Sequence, residues 1–191
     1  MRTATITRTT KETDISAELN LDGGAPDIVT GVGFFDHMLT ALATHGGFGL
    51  RLRCAGDLQV DAHHTVEDCG IVLGQAFAKA LGNKSGIARY GHAVIPMDES
   101  LASASVDVSG RAFLIFHAAF SQPVAGEFEL CLCGEFFRAF AVNAGITLHA
   151  ELHYGANGHH EAEAIFKAVA HALRKALVPA EGTLSTKGTL E

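Results

Sequence analysis

The sequence predicts an α+β fold made of two similar halves, each a β-β-α-β-α unit with its helices packed on one face of its sheet. Three observations predict it. Short segments that alternate apolar and polar residues are interleaved with longer segments of helical period. Advancing the chain by 98 residues lays His45-Gly-Gly-Phe-Gly-Leu50 on Asn143-Ala-Gly-Ile-Thr-Leu148, and lays His37 on Glu135. Advancing it by 96 lays the His-His-x-x-Glu of 63–67 on that of 159–163, and both following segments end in Lys-Ala-Leu. A period this long is a duplication rather than a solenoid repeat. The 191 residues therefore read as one domain of two pseudo-equivalent halves, about 1–90 and 91–191, long enough to bury a core.

Taken in order, residues 3–8 alternate weakly, and Asp14–Leu21 alternates cleanly with Ile15, Ala17, Leu19 and Leu21 on one side, which predicts a hairpin. Asp22-Gly-Gly24 is the next turn. A helix is expected from Gly33 to about Thr44, stopped by Gly46-Gly47, and Leu50–Cys54 is expected as a strand. The second helix follows from the His63 motif to about Leu81, closed by Gly82 and Asn83. Residues 86–91 read as a connection, 101–108 and 112–118 as strands, and Asp107-Val-Ser-Gly-Arg111 as the turn between them. A third helix over 127–143, a strand over 146–152 and a fourth helix over 159–177 complete the repeat, leaving Gly182–Gly188 as a polar loop.

Composition excludes several functions. With 48% hydrophobic and 18% charged residues the chain is globular. A net charge of −7 is opposed to a nucleic-acid footprint, including that of an RNA-binding relative of similar topology. No apolar run suits a membrane helix, and the N-terminus lacks the apolar core of a signal peptide. A cytoplasmic protein with neither membrane nor nucleic-acid partner is expected. Cysteines 54, 69, 131 and 133 form no C-x-x-C and are expected as reduced, buried thiols.

The chemistry lies in Asp61-Ala-His-His-Thr-Val-Glu-Asp68 and in Gly158-His-His-Glu-Ala-Glu163. On a helix, His63 and Glu67 (i, i+4) share a face, as do His159 and Glu163, whereas His64 and His160 are rotated by about 100°. Each element offers a His/Glu clamp to one site and a lone imidazole to another. An imidazole and carboxylate set without thiolate suits Mn, Fe, Co, Ni or Zn. The duplication adds His37 and Glu135. His171, with Arg174 and Lys175 nearby, is expected in solvent.

These segments, with Phe34-Phe-Asp-His-Met-Leu39, Asp107-Val-Ser-Gly-Arg111 and Ser185-Thr-Lys-Gly188, stand in the order of a known family. Over its whole length the chain resembles imidazoleglycerol-phosphate dehydratases in their single-activity form. The resemblance implies removal of water from imidazoleglycerol phosphate to give imidazoleacetol phosphate in histidine biosynthesis, with two Mn²⁺ ions per active site acting as Lewis acids on the substrate ring. It implies a 24-subunit shell with metal sites between subunits. One ion would take His37, His64, His159 and Glu163, the other His63, Glu67, His160 and residue 135. Several family members carry histidine where this chain has Glu135. Either the carboxylate replaces that imidazole, which Mn²⁺ tolerates, or Glu135 is a bystander; ligation is the favoured reading.

Glu12 matches a substrate-contacting family glutamate and is the candidate base, ahead of Glu67 and Glu163, whose basicity coordination would lower. Arg89, Arg111 and Lys187, with the hydroxyls of Ser185 and Thr186, match the family's phosphate contacts, and His45 is a further candidate for the substrate pocket. The competing classes are a metal-dependent hydrolase or cyclohydrolase with the same ligands, which turnover of imidazoleglycerol phosphate with Mn²⁺ would separate, and a non-catalytic metal-storage assembly, which does not account for the phosphate-type loop.

Overall fold

Alternation puts one face of each strand beneath a helix. In the computed structural model, which describes residues 1–188 and 190, strands β1 (Thr3–Thr9), β2 (Thr13–Asn20), β3 (Asp27–Val29) and β4 (Gly49–Gly56) form a sheet of order β1-β2-β4-β3. Helices α1 (Gly33–Gly46) and α2 (His63–Leu81) belong to this half. The second half supplies β5 (Tyr90–Met97), β6 (Ser100–Asp107), β7 (Phe113–His117) and β10 (Thr147–Tyr154) in the order β5-β6-β10-β7, with α3 (Leu132–Ala144) and α4 (Gly158–Ala176). In each sheet the strand before the first helix pairs parallel to the strand after it, and all other pairs are antiparallel. A small hairpin, β8 (Val124–Ala125) and β9 (Phe128–Glu129), precedes α3.

The duplication is visible in detail. Gly47 and Gly145, one 98-residue step apart, both end their helices in the left-handed conformation (φ 74° and 64°). Their caps return to the carbonyls of Ala43 and Thr44, and of Ala141 and Val142, again the same step. Each four-stranded sheet carries one more strand than the sequence announces. β3 has only three residues. β5 escapes detection because its first two inward positions are small. Gly91 lies so close to α4 that a Cβ would stand 1.9 Å from the Ala172 carbonyl oxygen, and Ala93 follows it inward.

The third helix begins at Leu132 rather than 127. Phe128 lies in helical register with Leu132 and Phe136, but it is buried from the β8–β9 hairpin, its ring beside Phe34 and Phe35. Gly126 turns that hairpin at φ 62°.

α1 and α2 cover the first sheet, α3 and α4 the second; α2 then packs on α3 and α1 on α4. The layers are thus sheet, two helices, two helices, sheet. Phe136 ties the middle layers together, stacked on Phe166 and edge-on to Phe35. The α2–α3 crossing is tight because Gly70 and Gly74 present no side chain: a Cβ at Gly74 would lie 2.6 Å from the Phe140 carbonyl oxygen. Gly74→Ala is expected to destabilise the fold by about 1–3 kcal/mol through overpacking, read as a lower midpoint in denaturant.

Cys69 and Cys133 are buried, Cys54 is half-buried and all four thiols are free, but Cys131 is exposed. The expectation of four buried thiols fails there because Cys131 caps α3 at the protein surface rather than lying inside a helix. Among the described residues no helix is long and apolar enough to cross a membrane.

Candidate functional site

Both His-His pairs sit in the first turn of a helix, where backbone N–H groups lack intrahelical acceptors. Asp61 Oδ1 accepts from the His63 N–H (2.8 Å), and Asn157 Oδ1 from the His159 N–H (3.0 Å) and the His160 N–H (3.5 Å). Ahead of α1, Asp36 Oδ1 accepts from the N–H (2.8 Å) and hydroxyl (2.6 Å) of Thr30, which fixes the turn carrying His37.

The i, i+4 pairing appears as expected. Glu163 Oε2 lies 3.2 Å from His159 Nε2 and 3.4 Å from His37 Nε2, and donor atoms of all three lie within 4.8 Å of one another. The other carboxylate oxygen accepts from Lys167 Nζ at 2.7 Å. Burial alone would push the Glu163 carboxyl up, but the hydrogen bond and charge of Lys167, with His37 nearby, outweigh it and hold the group below the ordinary carboxylate value. Glu163 is therefore ionised and aimed at two imidazoles. In the first copy His63 Nε2 stands 3.5 Å from Glu67 Oε2. Arg138 lies 3.6 Å from Glu67 Oε1 and also grips Glu135. His37, His159, His63 and Glu135 line one cleft of about 810 Å³, floored by Phe34 and Phe128.

His64 and His160 face elsewhere, as their 100° offset requires, and line no part of this cleft. Each has its own carboxylate at Nδ1: Asp57 at 3.0 Å from His64 and Glu99 at 2.9 Å from His160. These bonds raise the pKa of both imidazoles, and the same contact holds Glu99 down at about 2. A carboxylate on one ring nitrogen orients the other as a donor to a metal. One chain therefore assembles three of the four expected ligands of the first set. Of the second set it pairs His63 with Glu67 at 3.5 Å, joins Glu135 to Glu67 through Arg138, and leaves His64 and His160 outside the cleft.

Glu12 sits on the β1–β2 turn, held by its N–H to Thr10 Oγ1 (3.1 Å), with its carboxylate 3.9 Å from His64 Nε2. Asp68, the neighbour of Glu67, turns inward and accepts from Arg8 (2.5 Å) and Thr13 (2.5 Å), clamping α2 to the hairpin that carries Glu12.

A second pocket, of about 600 Å³, gathers Arg89, Arg111, Ser185, Thr186 and Lys187 from three distant stretches of chain. Asp107 holds both guanidiniums: Arg89 at 2.7 and 3.1 Å, Arg111 at 2.9 Å. Buried Arg89 also donates to the Leu184 carbonyl, fastening the loop, and adopts φ 72°, a conformation rare outside glycine. Three cations against one carboxylate leave the pocket positive. His45 is in neither pocket. It is half-buried with its ring 5.4 Å from His171, and burial lowers the pKa of both. His171 is thereby half-buried rather than in open solvent.

Sequence reasoning passed over Asp57, Glu99, Lys167 and Arg138. Lys167, at i+4 from Glu163, and Arg138, at i+3 from Glu135, were the two that helical spacing could have flagged.

Two His/Glu clamps on a duplicated α+β frame, together with a separate cationic pocket, define a protein suited to divalent metal and to an anionic substrate. Residues 30–173 match the imidazoleglycerol-phosphate dehydratase family. The chain is 56% identical to the imidazoleglycerol-phosphate dehydratase of Acidiphilium cryptum, over 99% of each protein. It is 53% identical to that of Methanosarcina barkeri over 100% of each. The crystal structure of the Staphylococcus aureus enzyme superposes with a TM-score of 0.85 at 42% identity, covering 93% of this chain and 99% of that one. The Pyrococcus furiosus enzyme does so with 0.85 at 37%, covering 97% and 100%. The chain belongs to the imidazoleglycerol-phosphate dehydratase family.

Proposed function

We propose that the chain removes water from imidazoleglycerol phosphate to give imidazoleacetol phosphate, a step of histidine biosynthesis, using two Mn²⁺ ions held between subunits of a 24-subunit shell. The observation that carries this reading is Glu163 Oε2, poised between His37 Nε2 and His159 Nε2. An ionised oxygen and two imidazole nitrogens, with open space on the cleft side, fit an octahedral, oxygen-tolerant divalent ion with free positions. His37, His159 and Glu163 would hold one ion with a neighbour's His64; His63, Glu67 and Glu135 would hold the other with a neighbour's His160. When bound, the ions supply Lewis acidity that stabilises negative charge on the substrate's imidazole.

The remaining tasks fall to the chain's own groups. The departing hydroxyl adjoins the ring, and the proton lost lies on the next carbon, where no carbonyl acidifies it. A fixed base is needed there, and Glu12 takes that proton. Because Glu12 stands beside His64, it would travel with that imidazole into the neighbour's site. Arg89, Arg111 and Lys187 bind the phosphate, with Ser185 and Thr186 donating hydroxyls. Lys187→Ala is expected to raise KM about ten- to a hundredfold with kcat nearly unchanged, because it removes a charged contact made equally in ground and transition states.

The test of the reading is turnover. Chelator-stripped protein should be inactive on imidazoleglycerol phosphate and regain dehydration on addition of Mn²⁺. No turnover with metal content restored would overturn the proposal in favour of a storage or hydrolase role.

A further inference from the structure

The two clamps differ in one respect that the duplication brings out. Each is accompanied by a cation, but from a different helix. At the first, Lys167 stands behind Glu163, bonded to Oε1, while Oε2 is left to the two imidazoles. Its counterpart one 96-residue step earlier is Ile71. At the second clamp the cation is Arg138, whose counterpart one 98-residue step earlier is Thr40, a hydroxyl spent on the Asp36 carbonyl of its own helix. Arg138 does not stand behind its carboxylates. It bonds to Glu135 and lies 3.6 Å from Glu67, so one guanidinium spans both acidic groups that would face a bound ion.

We propose that Arg138 is a built-in competitor for the cation at the second clamp and holds that site's affinity below what its two carboxylates alone would give. The inference rests on the two-ion reading given above. Glu135 leaves the His63–Glu67–Glu135 group with two carboxylates, where the His37–His159–Glu163 group has one. Arg138 neutralises the excess while no ion is bound. Its side chain is 54% exposed, so the ion pair is weak and screened, and a divalent ion can displace it into solvent. Displacement still separates the guanidinium from both carboxylates and leaves it near a doubly charged ion. At a few ångströms in water that repulsion weakens binding by roughly tenfold.

The experiment is a Mn²⁺ titration of the intact assembled protein, following free Mn²⁺ by electron paramagnetic resonance, with no substrate present. Wild type should show two classes of site. Arg138→Gln should tighten one class about tenfold and leave the other unchanged, whereas Arg138→Lys, which keeps the charge, should stay near wild type. Glu135→Gln should loosen that same class. Two bound ions with neither dissociation constant moved in Arg138→Gln would overturn the role of Arg138 and leave the function reading intact. Absence of any Mn²⁺ binding in wild type would instead overturn the function reading itself.

Discussion

Replacing Glu163 by glutamine is expected to lower turnover about a thousandfold or more and to cost the assembly one bound metal ion per chain. The substitution keeps the shape of the side chain, so the effect isolates charge. Glu163 is only 10% exposed and uses both oxygens, one for Lys167 at 2.7 Å and one for His37 and His159. An amide would leave Lys167 without its counter-charge and offer the imidazoles a neutral group. Metal Lewis acidity is worth several kcal/mol in such reactions, and each 1.36 kcal/mol is a factor of ten. Lys167→Met, which removes only the orienting partner, should cost a smaller factor, about ten to a hundred. Metal analysis alongside steady-state rates separates the outcomes. Full activity, or an unchanged metal count in Glu163→Gln, would remove Glu163 from the centre.

What could be read in advance follows from how local each feature is. His63–Glu67 and His159–Glu163 are set by helical geometry alone, so their spacing sufficed, and so did the outward turn of His64 and His160. The glycine stop at 47 was legible for the same reason. β5 was hidden because α4 lies directly on Gly91, so its first two inward positions, Gly91 and Ala93, are small and no apolar alternation develops over them. The start of α3 was misjudged because Phe128 is buried by tertiary contact while lying in register with the helix. Asp57 and Glu99 grip their histidines from outside the helices, Glu99 across 61 residues of sequence, and no periodicity encodes that. The cationic pocket is the extreme case. Arg89, Arg111 and Lys187 come from separate elements, and only family resemblance joined them before the fold did.

Co-expression offers the sharpest test of the outward histidines. His64→Ala and Glu163→Gln are each expected to be inactive when assembled alone, and to recover about a quarter of wild-type activity when their chains are mixed evenly. The reasoning is combinatorial. If the clamp of one chain is completed by His64 of another, a site works when the first carries Glu163 and the second carries His64, and random assembly meets both conditions in about one site in four. The geometry within one chain motivates the expectation. His37, His159 and Glu163 have their donors within 4.8 Å, whereas His64 is turned away and held by Asp57. Its other ring nitrogen stands 3.9 Å from the Glu12 carboxylate. A site completed within a single chain would leave mixed assemblies as inactive as their parents, because every chain would carry one defect. Glu12 sharpens the test. Because it accompanies His64, Glu12→Gln should be rescued by Glu163→Gln in the same way but should fail to rescue His64→Ala, since both of those defects lie on the same contributed edge.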